Sequence, residues 1–431
     1  MNKTVFKDNI LIGSGLSALG FLELIKKKIK FIVFDKNSYK GGHAFSHFIR
    51  DNHFDEGAHI CHSKNSFFLK YILENKIKVK KRKSKINNYL NGKKIGYPVQ
   101  KNIKDLFIDE KIKIFFDFFR IIKKKILNYE DWCNYNYGSY LTNNYYKVYT
   151  WKYWRTDMKN MSVDWVNNRL EKKNFLQSFI SFFFSKTEID LSYNTFLYPK
   201  YGGFFFFFKN KYKKFNVNLS SKVTNINLTK KYIEINNSKI YKYKNLVSSI
   251  PIIDYVNLIE DLPLNLKNNL KKLKYTTLIA FNIKVKKRKI FNEDWCYFYD
   301  RDNPISRLSF LDNLKGIKNK KTITIQAEVF RRNDENYDIE ILKKTVKEKI
   351  FVFLGLHDKN DVLFFEYFIV EKAYPIPLQG TKNIVNEVIK YLKNNQINQI
   401  GLYGKWEYKW SDQSFFDGYN FGKDLLGSHE V

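Results

Sequence analysis

The segment "NILIGSGLSALGFLELIKKKIKFIVFDKN", residues 9–37, limits the possible folds more than any other. A short apolar run turns through glycines into a helical pattern, and a second apolar run, "KFIVFD", closes the unit. Gly13, Gly15 and Ala18 occupy the three positions of a GxGxxG/A turn. The glycines permit a tight turn and let backbone N–H groups approach a pyrophosphate at the helix N-terminus. Asp35 ends the second strand at the distance where a carboxylate can meet a ribose hydroxyl. Strand, helix, strand and acid in register predict a dinucleotide-binding βαβ unit, and hence an α/β chain.

The 431 residues exceed what one simple core accommodates, so two or three packed units are expected. The formal net charge is +33, which raises nucleic acid or a membrane surface as a partner. Lysines are spread along the whole chain in short runs rather than gathered into a stripe, so no nucleic acid is expected. Contact with an anionic membrane stays open, because "IDEKIKIFFDFFRIIKKKIL" (108–127) is amphipathic and basic. The same pattern also suits a helix packed on a neighbour. Cys61, Cys133 and Cys296 have no metal spacing and cannot form a disulfide framework. With no signal-peptide pattern before the βαβ unit, the expected location is cytoplasmic, peripheral at the inner membrane face if that contact exists.

"YKGGHAFSH" (39–47) places Gly41 and Gly42 just beyond the acid, and "FDEGAHICHS" (54–63) comes next. In flavoproteins related to the amine oxidases such a glycine pair lies against the FAD pyrophosphate, so FAD is expected rather than NAD. His59 and His62 lack a cluster of further ligands, and a place beside the flavin suits them better than a metal. "KVYTWKYW" (147–154) crowds four aromatic side chains into eight residues, which suits either core packing or the wall of a ligand site.

From these segments onward the sequence resembles the UDP-galactopyranose mutase family almost end to end. "GAHICHS" resembles that family's GPHIFHT, and "LNGKKIGYPVQKNI" (90–103), which contains Asn102, resembles its NGQ–LPINL segment. "NYEDWCNYNYGSYLTNNYYKVYTWKYW" (128–154) resembles the helix that ends in YTKKQW. "YPKYGGF", "AYPI" and "IGLYGKWEYKWSDQ" resemble later motifs in the same order.

The resemblance implies a wall of Tyr146, Tyr149 and Trp154, with Asn102, around a UDP-sugar. It also implies that Arg169, Arg307, Tyr374 and Tyr408 hold the diphosphate, with His59 beside the flavin. Gly13, Gly15, Ala18, Asp35, Gly41, Gly42, His59, His62, Val223, Gly404 and Asp412 are the implied cofactor contacts. The implied chemistry interconverts UDP-galactopyranose and UDP-galactofuranose through attack of reduced flavin N5 on the anomeric carbon, for surface polysaccharide synthesis. NAD(P)H or another reductant and a homodimer are expected partners.

Several positions depart from the family. Leu402 replaces an arginine beside the flavin, Trp406 a tyrosine, His43 an asparagine and Ser411 a methionine. These departures keep an FAD-dependent oxidoreductase, or a mutase of another nucleotide sugar, as alternatives. The expected architecture is a discontinuous Rossmann-type FAD-binding domain (1–99, 191–265 and 373–431). A helical insert (100–190) and an antiparallel β-sheet domain (266–372) complete it.

Overall fold

In the computed structural model the described residues are 4–74, 77–119, 125–166, 169–170, 180, 182, 195–317 and 321–427. Most of the expected helical insert beyond residue 170 lies outside them.

Asn9–Ile12 and Ile32–Phe34 pair in parallel on either side of the helix Leu16–Ile25, as the glycine motif predicts. Asn245–Ser248 and Ile397–Gln399 extend them into a four-stranded parallel sheet. Three remote segments therefore build one nucleotide-binding domain. The C-terminal helix Ser411–Gly427 closes over it by lying against Leu16–Ile25. Two glycines make that approach possible: a Cβ on Gly20 would sit 2.0 Å from the Phe415 carbonyl oxygen, and one on Gly418 would sit 1.8 Å from that of Ser17.

A second four-stranded sheet joins Thr4–Phe6, Lys239–Lys242, Tyr232–Ile235 and Val223–Asn227. Its far strand carries Val223 to the cavity edge.

The largest sheet has seven strands, with Tyr275–Lys286, Thr322–Arg332 and Val362–Pro375 as its long members. The helix Ile339–Leu354 covers one face, burying Leu342, Val346, Ile350 and Leu354 at a spacing of one helical turn. Asp338 caps its start by accepting the N–H groups of Glu340 and Ile341, and Gly355 ends it at φ 68°. This sheet is antiparallel except where Trp295–Phe298 runs parallel to Ile86–Leu90. Ile86–Leu90 and Lys93–Gly96 thus serve the large sheet, although they fall inside the segment expected to belong to the nucleotide-binding part. Their alternating burial gives them a packed face there.

The helical segment packs on the large sheet, its last helix touching Tyr275–Lys286 and Thr322–Arg332. Tyr129–Leu141 kinks at Gly138, whose φ of 82° only glycine adopts readily. A π-helical turn, Thr142–Tyr146, leads into Lys147–Trp154, which stops at Arg155 in the left-handed region. The extra residue in a π turn rotates the side chains of the next helical turns about the axis. Tyr149, Tyr153 and Trp154 face inward and Trp151 stays exposed.

Candidate active site

One cavity of about 1080 Å³ runs between these layers. That is just above the ~300–1,000 Å³ typical of a single-ligand pocket, room for two ligands in file.

Its first part is made largely of backbone. Gly13 turns at φ 92°, and a Cβ there would lie 2.3 Å from Ser249 Oγ. Gly15 starts the helix with no side-chain cap, and Gly15, Leu16 and Ser17 line the cavity. The unsatisfied N–H groups of a first turn, at the positive end of the helix dipole, favour an anion there. Gly42, at φ 54°, brings a second loop so close that a Cβ would meet Gly15 Cα at 3.2 Å. Asp35 lines the groove and also braces it: one carboxylate oxygen accepts Ser14 N–H and Ser14 O–H at 2.8 and 2.6 Å, and the other accepts Asn37 N–H at 2.8 Å. Ser221 N–H donates to the Asp35 carbonyl, which sets the Val223 edge beside it.

Beyond the second glycine loop the lining changes to titratable side chains. Glu56 accepts from Tyr39 and contacts the rings of His43 and His47. Burial alone would raise the Glu56 carboxyl, but the two histidines hold it at about 2. His59 stacks on Phe204 and is kept neutral by burial. Its Nδ1 lies 3.0 Å from the Gly57 carbonyl, which can only accept, so Nδ1 carries the proton and Nε2 is an acceptor. Burial also lowers His62, to about 4. Among the described residues no cluster of three or more His, Cys, Asp or Glu has the arrangement of a metal site.

The far part is a chamber of rings and two arginines. Tyr149 stacks on Tyr153 at 5.6 Å, and Tyr153, Trp154 and Tyr408 pack around Tyr374. Burial pushes the phenols of Tyr149, Tyr153 and Tyr374 well up, so they remain proton donors across the ordinary pH range. Tyr146 stacks on Tyr137 at 4.4 Å and donates to Gln100. Arg169 lies over the Tyr408 ring at 3.8 Å and donates to the Tyr408 carbonyl at 2.8 Å. Arg307 forks onto Glu328 through Nε and Nη2 at 2.8–3.1 Å. Burial opposes its charge, but Glu328 and the surrounding phenols keep it protonated. Glu328 also accepts Ala58 N–H at 2.8 Å, which ties the chamber to the His59 loop.

The structure thus brings Gly13, Gly15, Asp35, Gly41, Gly42, His59, His62, Val223, Tyr146, Tyr149, Trp154, Arg169, Arg307, Tyr374 and Tyr408 onto one cavity. Four residues named from sequence lie elsewhere. Ala18 is in the core beneath its helix, where a small residue allows close helix–strand packing. Gly404 backs against Gln399 and Ser248. Asn102 is buried and donates to Pro98, holding the turn that presents Tyr97 and Gln100. Asp412 accepts Gln413 N–H, while its neighbours Ser411 and Ser414 do the lining.

Sequence reasoning did not single out Glu328, Glu56 or the cavity-lining Tyr403, whose ring packs on His43 and whose hydroxyl donates to the Ala373 carbonyl. Glu328 had a signal: a carboxylate two residues after Gln326, on the same face of the largely apolar strand "TITIQAEVF".

Residues 11–70 match the family model described as an NAD(P)-binding Rossmann-like domain. No curated protein sequence matches the chain. The fold is that of a solved structure of reduced UDP-galactopyranose mutase, with a TM-score of 0.87 over 99% of this chain and 96% of that one, at 19% identity. A protein from Exiguobacterium described as a protoporphyrinogen oxidase aligns with a TM-score of 0.73 at 12% identity, over 99% of each chain. A putrescine oxidase variant aligns at 0.66 and 12% identity, over 99% of this chain and 100% of that one.

Proposed function

We propose that this chain is a flavin-dependent nucleotide-sugar mutase that interconverts UDP-galactopyranose and UDP-galactofuranose. One observation carries the reading. Two arginines and two phenols from four separate segments (Arg169, Arg307, Tyr374 and Tyr408) converge in a chamber continuous with a dinucleotide groove. A dinucleotide held at the glycine loops leaves that second cationic clamp unexplained, and a second diphosphate explains it. The shared fold with a UDP-galactopyranose mutase supports the same reading.

The groove suits FAD. The loops at Gly13 and Gly42 form a cradle that any Cβ would fill, and the uncapped helix start suits a pyrophosphate. Asp35 and the Val223 edge would take the adenosine end, and Gly41, Gly42, His59 and His62 the flavin end. When bound and reduced, the flavin would supply an electron-rich nitrogen as nucleophile, so the isomerisation needs no net oxidation.

The protein's own groups bind, orient and exclude water. Glu328 engages Arg307 at Nε and Nη2, so Nη1 would meet a phosphate oxygen. Glu328 thereby fixes the guanidinium in place before substrate arrives, a preorganised charge where diphosphate charge develops. The hydroxyls of Tyr374 and Tyr408 would donate to the same phosphates, retaining the leaving group for its return. Tyr146, Tyr149 and Trp154 offer flat faces to uracil and to the C–H face of a sugar. His59, being neutral, offers an acceptor without a competing charge.

An oxidoreductase is the second reading. It is supported by the fold shared with putrescine oxidase and by Leu402.

The test is to reduce the purified protein with dithionite without air, add UDP-galactofuranose and follow the nucleotide sugars by chromatography. Conversion to UDP-galactopyranose only by reduced protein is the expected result. Absent conversion with measurable UDP affinity would move the substrate to another nucleotide sugar. Absent UDP affinity, with substrate amines bleaching the oxidised flavin, would install the oxidoreductase reading.

A further inference from the structure

The helix Ile108–Phe119 is amphipathic in the reverse sense. At about 100° per residue, Glu110, Ile114 and Asp117 fall on one side, and that side faces the protein. Glu110 is 6% exposed and accepts the hydroxyls of Tyr140 and Tyr145, while Ile114 is 1% exposed. Asp117 accepts Ser139 Oγ and Tyr140 N–H. Two of the helix's three acids are therefore spent inside, while the third, Asp109, is exposed and paired with Lys113. The opposite side presents Ile108, Ile112 and Phe116, which are 73%, 52% and 61% exposed. Just before the helix, half-exposed Phe107 adds a ring with Lys93 Nζ over it at 3.9 Å.

Isolated apolar residues on a surface are ordinary. A stripe at i, i+4 and i+8 opposite a face of buried carboxylates is not. Lys111 and Lys113 border the stripe on its two sides at the same helical spacing, and Lys113 also pairs with Asp109 at 3.4 Å.

We infer that this stripe docks the protein on an anionic lipid surface, the helix lying in the plane of the headgroups. Charge selects lipid over a second copy. A chain of formal net charge +33 is drawn to anionic headgroups, whereas two such chains carry like net charge. Bordering lysines can lay their stems along the apolar layer and keep their ammonium groups among phosphates. Among the described residues no helix is long and apolar enough to cross a membrane. The same helix reaches the cavity wall through Glu110 and Tyr145.

The experiment floats the full chain with vesicles of phosphatidylglycerol and phosphatidylcholine mixed, and with phosphatidylcholine alone. The wild type should float with the anionic vesicles and release at high salt. An Ile108→Ser/Ile112→Ser/Phe116→Ser variant should partition at least about tenfold less, as expected for loss of buried apolar side chains. All three are exposed, and a single Ile112→Ser change with an unaltered melting curve guards against misfolding. Lys111→Gln/Lys113→Gln should lower binding severalfold. Three results overturn the inference: a wild type that ignores anionic vesicles, serine variants that bind them as well as wild type, or a vesicle-free dimer that those variants dissociate.

Discussion

The two ends of the cavity are made of different materials. The glycine-loop end is backbone: positive φ at Gly13 and Gly42, an uncapped helix start, and one carboxylate, Asp35, bracing the turn. The far end is side chain: rings from the helix Lys147–Trp154, one arginine on a strand of the large sheet and another from beyond that helix. A site made of backbone is written within about thirty consecutive residues and tolerates few substitutions. A site made of side chains is collected from the whole chain, and each contributor fails separately.

The largest effect should come from filling the backbone end. Gly13→Val adds a branched Cβ at φ 92°, where the first carbon alone would lie 2.3 Å from Ser249 Oγ. The purified protein should carry essentially no flavin, while calorimetry with UDP still detects the chamber. Equal loss of both ligands would mean that the two ends are not separable.

Arg307→Ala reverses the pattern. Flavin content should match wild type and turnover should fall on the order of 10²-fold or more, as for loss of one preorganised charge contact. Unchanged turnover would remove Arg307 from the mechanism. Tyr408→Phe is milder: removing one hydroxyl should weaken UDP binding by about 1 kcal/mol, roughly fivefold. Unchanged UDP affinity would leave Tyr408 with packing alone.

The smallest effect concerns the joint between helix and sheet. Lys152 is buried, and its Nζ donates to the carbonyls of Phe298 and Ile305, at the two ends of the loop before Arg307. Burial lowers its pKa from 10.5 to about 7. Below about pH 7 both folded and unfolded chains hold the proton, and the folded chain bears a buried ammonium. Between about 7 and 10.5 the unfolded chain binds more protons, so this group makes stability rise with pH through that window. Melting curves should show a gain over that range that Lys152→Met lacks. Parallel pH profiles for the two proteins would show that Lys152 stays charged.

Legibility in the sequence divides along the same line. The strands and helix around Gly13 and the second glycine loop stand where the pattern puts them, because their signals are local. Asn102 and Asp412 matched motifs yet turned to their own backbone, since a short polar side chain at a turn satisfies the nearest N–H or carbonyl. Glu328 escaped notice because its role exists only opposite Arg307, across paired strands.

Sequence by itself determined the dinucleotide turn with its βαβ unit, and the presence of arginines and tyrosines of the right kinds. Tertiary structure decided which of those rings face the cavity, that Arg307 is held by Glu328, and that the helix Ile108–Phe119 turns Glu110 and Asp117 inward and shows its apolar side. The reason is physical. Backbone conformation is set by neighbours in the chain, whereas burial and charge pairing are set by whatever the fold brings alongside.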